Sequence, residues 1–187
     1  MSGSPQTRLV VLDRDGVINR DSDAYIKSPD EWQPLPGALD AVARLTAAGF
    51  DVVVASNQSG VGRGLFGEAE LDAITAKMRA AIEAAGGRLA AVHYCPHHPD
   101  AGCDCRKPKA GLLERIARDF GVSLAGVPVV GDSLRDLDAA RAVGARPILV
   151  LTGNGERTRA ALGTSPGVEI YPDLAAVAER LLEEAAR

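Results

Sequence analysis

The chain has 187 residues, 46% of them hydrophobic, enough for one core that buries about 70% of its unfolded surface. Its net charge of -4 supplies no positive field for a nucleic-acid backbone. No stretch approaches the roughly 18 apolar residues of a membrane span, and residues 1–6 form a polar head without a signal-peptide core. The expectation is a cytoplasmic monomer, one domain over residues 1–187, with a flexible start at 1–7 and no membrane or nucleic-acid partner.

The first apolar run, residues 9–12, is short and closes on Asp13-Arg14-Asp15-Gly16. Such a run reads as a buried strand that delivers two carboxylates to the edge of a sheet. Asp and Gly are also ordinary turn formers, so this stretch in isolation is only a turn. Residues 16–35 form an irregular loop with Pro29 and Pro34, too short for a second domain. A helix is predicted over 38–48, apolar at Leu39, Val42 and Leu45 and stopped by Gly49. The second strand, 51–55, runs into Ser56-Asn57-Gln58-Ser59-Gly60.

The glycine-rich residues 60–67 lead into a helix over 68–85 with Leu71, Ile74, Met78 and Ile82 on one face. A third strand, 89–94, runs straight into a cysteine loop, 95–105. A helix at 111–120, a strand at 127–130, a helix at 134–143 and strands at 147–151 and 168–171 follow. Asp173 caps a last helix whose Leu174, Val177, Leu181 and Leu182 face inward. Strands alternating with helices imply an α/β fold, a doubly wound parallel Rossmann-like sheet covered on both faces. Ligands of such sheets sit at the carboxyl ends of the strands, where chain order reverses.

Three further stretches raise Asp13-Arg14-Asp15-Gly16 above a turn: Ala55-Ser56-Asn57, Arg106-Lys107-Pro108, and Gly131-Asp132-Ser133-Leu134-Arg135-Asp136. Phosphoryl transfer needs an acceptor, neutralisation of crowded negative charge and a proton for the leaving oxygen. Asp13 can be the acceptor, forming an aspartyl-phosphate, and Asp15 the acid that protonates the leaving oxygen and then deprotonates water. Asp132 adds a third carboxylate, and hard oxygen ligands around a phosphate select Mg²⁺. Asp136, four residues on, lies behind those ligands or is a solvated first-turn acid. Ser56, the amide of Asn57 and Lys107 suit the phosphoryl oxygens.

Cys95, His97, Cys103 and Cys105 put four soft or borderline ligands in one short loop, five residues separating His97 from Cys103. Zn²⁺ takes such a set tetrahedrally with no position left for water, so the site is read as structural. By sequence alone His98 competes with His97, and His93 reads as a packing or edge residue. Arg106 and Lys107 follow the last cysteine directly, so the metal would hold the phosphate-binding charges in place.

The order of these motifs resembles the haloacid dehalogenase-like (HAD) phosphatases, without a cap domain. Asp13 to Asn19, Ser56 to Gly60, and the cysteine loop through Pro108 are similar to the heptose bisphosphate phosphatases within them. That resemblance covers residues 9–162, with a cysteine loop short for the family. It implies Asp13 as nucleophile, Asp15 as general acid/base, Ser56 and Lys107 as phosphoryl stabilisers, and Asp13, the Asp15 carbonyl and Asp132 as Mg²⁺ ligands. It also prefers His97 over His98 as a zinc ligand, and places the first and fourth strands side by side.

The activity implied is removal of the C7 phosphate of a D-glycero-D-manno-heptose 1,7-bisphosphate, in making nucleotide-activated heptose for lipopolysaccharide or related glycans. Implied substrate contacts are Asp21, Ser22, Asp23 and Ala24, then Ser56, Asn57, Gln58 and Ser59, then Arg106 and Lys107. Histidinol-phosphate phosphatase is the alternative, sharing the acid motifs and a related zinc loop. A receiver-like domain would store the phosphoryl group, against which Asp15 argues, and a zinc-stabilised binding module would need none of the acids.

Overall fold

The computed structural model describes residues 8–163 and 165–187. The expected flexible start at 1–7 lies outside the described residues. Six parallel strands form one sheet in the order β3-β2-β1-β4-β5-β6. They are β1 (Arg8–Leu12), β2 (Phe50–Asn57), β3 (Ala91–Cys95), β4 (Pro128–Gly131), β5 (Arg146–Val150) and β6 (Glu169–Tyr171). The helices are α1 (Ala38–Ala47), α2 (Ser59–Gly62), α3 (Glu68–Ala84), α4 (Gly111–Phe120), α5 (Leu134–Ala142), α6 (Gly155–Leu162) and α7 (Leu174–Ala185).

Alternation along β1 shows why both sheet faces are covered. Val10 and Leu12 enter a core with Val42 and Leu45 of α1, Ile74, Met78 and Ile82 of α3, and Leu174, Val177 and Leu181 of α7. Leu9 and Val11 point the other way, onto Leu113 and Ile116 of α4 and Ala139 and Ala140 of α5. Successive strand side chains face opposite sides, so a strand buried on both faces reads as a continuous apolar run. On α7, Ala178 takes the buried position beside Val177, while Leu182, expected inward, is half-buried.

Two helices are absent from the sequence reading. α6 is a polar segment without apolar periodicity, buried only at Gly155 and Thr158. α2 contains two glycines, which signal a loop, yet both are there for close packing. A Cβ on Gly60 would sit 2.2 Å from the Phe66 ring, and one on Gly62 would sit 2.2 Å from the His98 backbone nitrogen. β2 runs to Asn57 because β3 pairs alongside it, Ser56 opposite Tyr94 and Asn57 opposite Cys95. The 16–35 loop is irregular as expected, with a 3-10 turn at Pro29–Glu31. Lys77 of α3 donates to the carbonyls of Pro29 and Trp32 at 2.6 and 3.1 Å, and Trp32 is buried.

β1 pairs with β2 on one side and β4 on the other, so the order of the sheet reverses at β1 and β4. Asp13 and Asp132, each one residue beyond its strand, therefore meet at the carboxyl edge.

Candidate active site

Asp13 leaves β1 with its backbone N–H still donating to Val130 of β4 at 2.9 Å. The next side chain, Arg14, turns into the protein and is fully buried, and Asp15 turns back toward the cleft. Gly16 closes the turn with φ 82°, and a Cβ there would lie 2.1 Å from Asp132 Oδ2. Only glycine lets the first strand's acids come this close to Asp132. Thr152 Oγ1 donates to the Gly16 carbonyl at 2.7 Å, and Thr158 Oγ1 to the Asp132 carbonyl at 2.7 Å, pinning both strand ends.

Lys107 is the fixed cation of the site. Its Nζ donates to Asp13 Oδ1 at 3.1 Å, to the Ala55 carbonyl at 2.7 Å and to Asp136 Oδ1, which occupies all three ammonium protons. Burial alone would lower the lysine's pKa, but Asp13 and Asp136 outweigh it and raise it. The side-chain amide of Asn57 brackets the backbone of Lys107, donating to its carbonyl and accepting from its N–H, both at 3.0 Å. This amide ties the end of β2 to the segment after the cysteine loop.

Burial pushes Asp13 up to about 8, with Lys107 opposing and Asp136, Asp132 and Asp15 adding to the rise. Burial and Asp136 likewise push Asp132 up to about 7, against the backbone N–H of Asn154 at 2.8 Å. Carboxylate oxygens of Asp13, Asp132 and Asp136 lie within 4.8 Å of one another. A hard divalent cation suits this donor set and relieves its crowding. Asp136 is buried, not solvated. Its Oδ2 accepts from the Ser133 backbone and hydroxyl at 3.1 and 2.7 Å, and its Oδ1 from Lys107, which suits a group behind the ligands.

Asp15 behaves differently. Burial would raise its pKa, but the Arg14 guanidinium and hydrogen bonds from Arg14, Asn19 and Gln58 hold it below the usual carboxylate range. Ser56, almost wholly buried, accepts from Gln58 Nε2 at 3.0 Å.

A cleft of about 70 Å³ at the carboxyl edge gathers the predicted Asp13, Asp15, Asp21, Ser56, Asn57, Lys107, Asp132 and Asp136. Ser133, Arg135 and Asn154 also line it and were not expected. Asn154 Nδ2 bridges Asp21 Oδ2 at 2.8 Å and Asp132 Oδ2 at 3.3 Å. Ser22 and Ala24 line a neighbouring recess of about 290 Å³ that shares Asp21, and Asp23 and Arg106 line neither. Gln58 and Ser59 are buried and do not line the cleft. A larger hollow of about 670 Å³ lies at the amino ends of the strands, between Leu9, Phe50, Val127 and Arg146, away from these acids.

The cysteine loop brings Cys95, His97, Cys103 and Cys105 together, with donor atoms within 4.8 Å. Cys95 Sγ lies 3.6 Å from Cys103 and 3.1 Å from Cys105, and His97 Nδ1 lies 3.2 Å from Cys105 Sγ. This is a fitting set for a closed tetrahedral Zn²⁺. His98 turns away, its Nδ1 accepting from the Asp100 N–H at 3.2 Å. His93 sits on the edge strand, 3.7 Å from Asp119. The loop joins the phosphate end of β2, because the Gln58 N–H donates to the Cys95 carbonyl at 2.8 Å and that of Gly62 to Pro96 at 2.8 Å.

Two family models match, one described as polynucleotide kinase 3 phosphatase over residues 9–133 and one as HAD-hydrolase-like over residues 104–177. The D-glycero-beta-D-manno-heptose-1,7-bisphosphate 7-phosphatase of Bordetella bronchiseptica is 58% identical, covering 95% of this chain and 99% of its own. The chain belongs to this phosphatase family, within the HAD-like hydrolases. Its Pseudomonas aeruginosa member is 53% identical over 94% of this chain and 98% of that one. The fold agrees: a crystal structure of the B. bronchiseptica D,D-heptose bisphosphate phosphatase, complexed with magnesium and phosphate, superposes with TM-score 0.93. That match is 57% identical and covers 95% of this chain and 99% of that one. The Burkholderia thailandensis D,D-heptose 1,7-bisphosphate phosphatase gives TM-score 0.76 at 48% identity, covering 94% and 99%. Family membership thus places the chain among HAD phosphatases with a doubly wound parallel sheet, as its motif order implied.

Proposed function

We propose that this chain is a phosphomonoesterase that removes the C7 phosphate of D-glycero-D-manno-heptose 1,7-bisphosphate, in the supply of activated heptose. The observation that carries the reading is the meeting of Asp13, Lys107 and Asp132 at the reversal of the sheet, in a chain 58% identical to a heptose bisphosphate phosphatase. A Mg²⁺ ion held by Asp13, the Asp15 carbonyl and Asp132 neutralises the acids and the incoming phosphoryl group.

The chain's own residues then divide the work. An Asp13 oxygen forms a bond to phosphorus as the bond to the C7 oxygen breaks. The electron pair leaves on that oxygen, which takes a proton from Asp15. Ser56, the backbone N–H of Asn57 and Lys107 stabilise the phosphoryl oxygens through the transfer. Asp15 next takes a proton from water as the water oxygen attacks phosphorus, releasing Asp13 and inorganic phosphate.

The 16–35 loop, with Asp21 at the cleft and Ser22 and Ala24 in the adjoining recess, selects the sugar. Cys95, His97, Cys103 and Cys105 would hold a structural Zn²⁺, which would keep the following Arg106 and Lys107 in register. Cysteines kept as metal ligands suit the reducing cytoplasm, and no helix of the described residues is long and apolar enough to cross a membrane. Steady-state phosphate release from heptose 1,7-bisphosphate, with and without Mg²⁺, tests the function. Preference for histidinol phosphate overturns the substrate, and a stable phosphoprotein without turnover overturns the enzyme.

A further inference from the structure

Gln58 belongs to the stretch that the family resemblance assigns to substrate contact, yet its side chain is 4% exposed and has no free polar atom to offer a ligand. Its Nε2 donates to Asp15 Oδ2 at 2.9 Å and to Ser56 Oγ at 3.0 Å. Its Oε1 accepts from Arg14 Nη2 at 3.1 Å. An amide has two donor hydrogens and one carbonyl oxygen, and here each is engaged.

Arg14 completes the frame. It is fully buried, and its Nε and Nη2 donate to the two oxygens of Asp15 at 2.9 and 3.1 Å. Its guanidinium lies 5.7 Å from the centroid of the Tyr94 ring, whose hydroxyl is 2.9 Å from Thr75 Oγ1 on α3. Asn19 Nδ2 holds the remaining side of Asp15, at 2.8 Å from Oδ1. Asp15 thus stands on an anchor built from the neighbouring strand and helix, and Gln58 links that anchor to Ser56.

We infer that Gln58 is a positioning residue that, braced by Arg14, fixes Asp15 and Ser56 relative to one another, and that it does not contact the substrate. The inference rests on Asp15 being the general acid/base. One rigid amide between a proton donor and a phosphoryl donor sets both to a single substrate geometry. A purely structural amide would give the same burial, but replacing it would leave the dependence of the rate on the leaving group unchanged.

The test is a series of substituted phenyl phosphates that vary only in leaving-group acidity, assayed as kcat/KM, which reports the steps up to departure of the leaving group. With Asp15 well placed, the wild-type rate depends weakly on leaving-group pKa. Gln58→Met should lower kcat/KM across the series, through the loosened Ser56, and tenfold or more further for the poorest leaving groups than for p-nitrophenyl phosphate, steepening the correlation. Gln58→Glu keeps the shape and the acceptor for Arg14 but turns the donor facing Asp15 into a repelling oxygen. It should steepen the correlation too, and it carries the test if Gln58→Met does not fold.

An equal fall across the series shows that Gln58 does not position Asp15 and overturns the inference. An unchanged series with a loss only on heptose 1,7-bisphosphate makes it a substrate contact and also overturns it. Asp15→Asn run alongside separates the two readings. If it leaves the correlation unchanged, the acid/base assignment has failed. If it steepens the correlation and the Gln58 variants do not, only the positioning role has.

Discussion

Lys107 Nζ stands between Asp13 and Asp136, 3.1 Å from Asp13 Oδ1, in a site where the lysine is 4% exposed. One ammonium therefore answers two carboxylates, Asp13 at the cleft and the buried Asp136, and removing it leaves Asp136 without its cation. Lys107→Ala should slow turnover about a hundredfold, near the 3 kcal/mol typical of a lost preorganised donor. It should also lower thermal stability, because breaking a buried pair costs about 3 kcal/mol or more. Lys107→Ala combined with Asp136→Asn should recover part of that stability and none of the rate. Melting curves and steady-state rates on the same three proteins check this, and a double variant no more stable than Lys107→Ala would refute the pairing.

Asp13→Asn keeps the shape of the side chain but offers no nucleophile, so turnover should vanish with the fold retained. With p-nitrophenyl phosphate, whose leaving group needs no proton, Asp15→Asn should leave attack by Asp13 feasible and deprive water of its base. Rapid-quench trapping should then show more phosphoenzyme than in the wild type. Turnover in Asp13→Asn at the wild-type rate would remove Asp13 from the reaction.

Asp13 and Asp132 were legible because each stands just past an apolar run, and the alternation of strands and helices fixes which runs become neighbours. Asp13 and Asp132 needed only that. Asn154 and Arg135 were not legible, since their place in the cleft comes from the loop after β5 and the first turn of α5 approaching the edge in space. No residue pattern near Asn154 marks it, and α6, which follows, lacks the apolar stripe that reveals α1 or α3. Gln58 shows the opposite limit: the motif places it at the end of β2 beside the site, but the direction of its side chain depends on Arg14, and Arg14's burial follows from strand alternation after Leu12. Between His97 and His98 adjacent spacing decides nothing, and only the turn at Pro99–Ala101 that engages His98 separates them.

Arg146 on β5 bridges Glu169 of β6 and Glu184 of α7, with Nη1 2.7 Å from Glu184 Oε2, at the end of the sheet far from the cleft. Hydrogen bonds from Arg146 hold both glutamates below their ordinary value of 4.5. A depressed carboxylate stabilises the fold above its unfolded pKa and loses that contribution as pH falls through the folded value. Arg146→Met should therefore lower the melting temperature at neutral pH, and the gap to wild type should narrow as pH falls below 4.5. The side chains of Glu169 and Glu184 are about a third exposed, so the effect is modest and weakens with salt. A gap that persists unchanged into acid would show that Arg146 acts by packing alone.

The segment after the cysteine loop is tied to the phosphate end at Asn57 and Lys107. The Asn57 amide holds both the N–H and the carbonyl of Lys107, two residues beyond Cys105, so a metal in the loop would fix from one side the lysine that the end of β2 holds from the other. One Zn²⁺ per chain should co-purify and Mg²⁺ should remain exchangeable, with zinc lost from Cys103→Ser. Stripping zinc should release one side of Lys107 and cost about as much rate as Lys107→Ala, roughly a hundredfold. Stripping zinc from Lys107→Ala should add little, because both changes disable one function. If zinc instead supports only global stability, the stripped protein loses melting temperature while its folded fraction keeps near-normal activity. Turnover and circular dichroism on one zinc-free sample at saturating Mg²⁺ separate the two, and a folded, zinc-free, fully active protein rules out the positioning role.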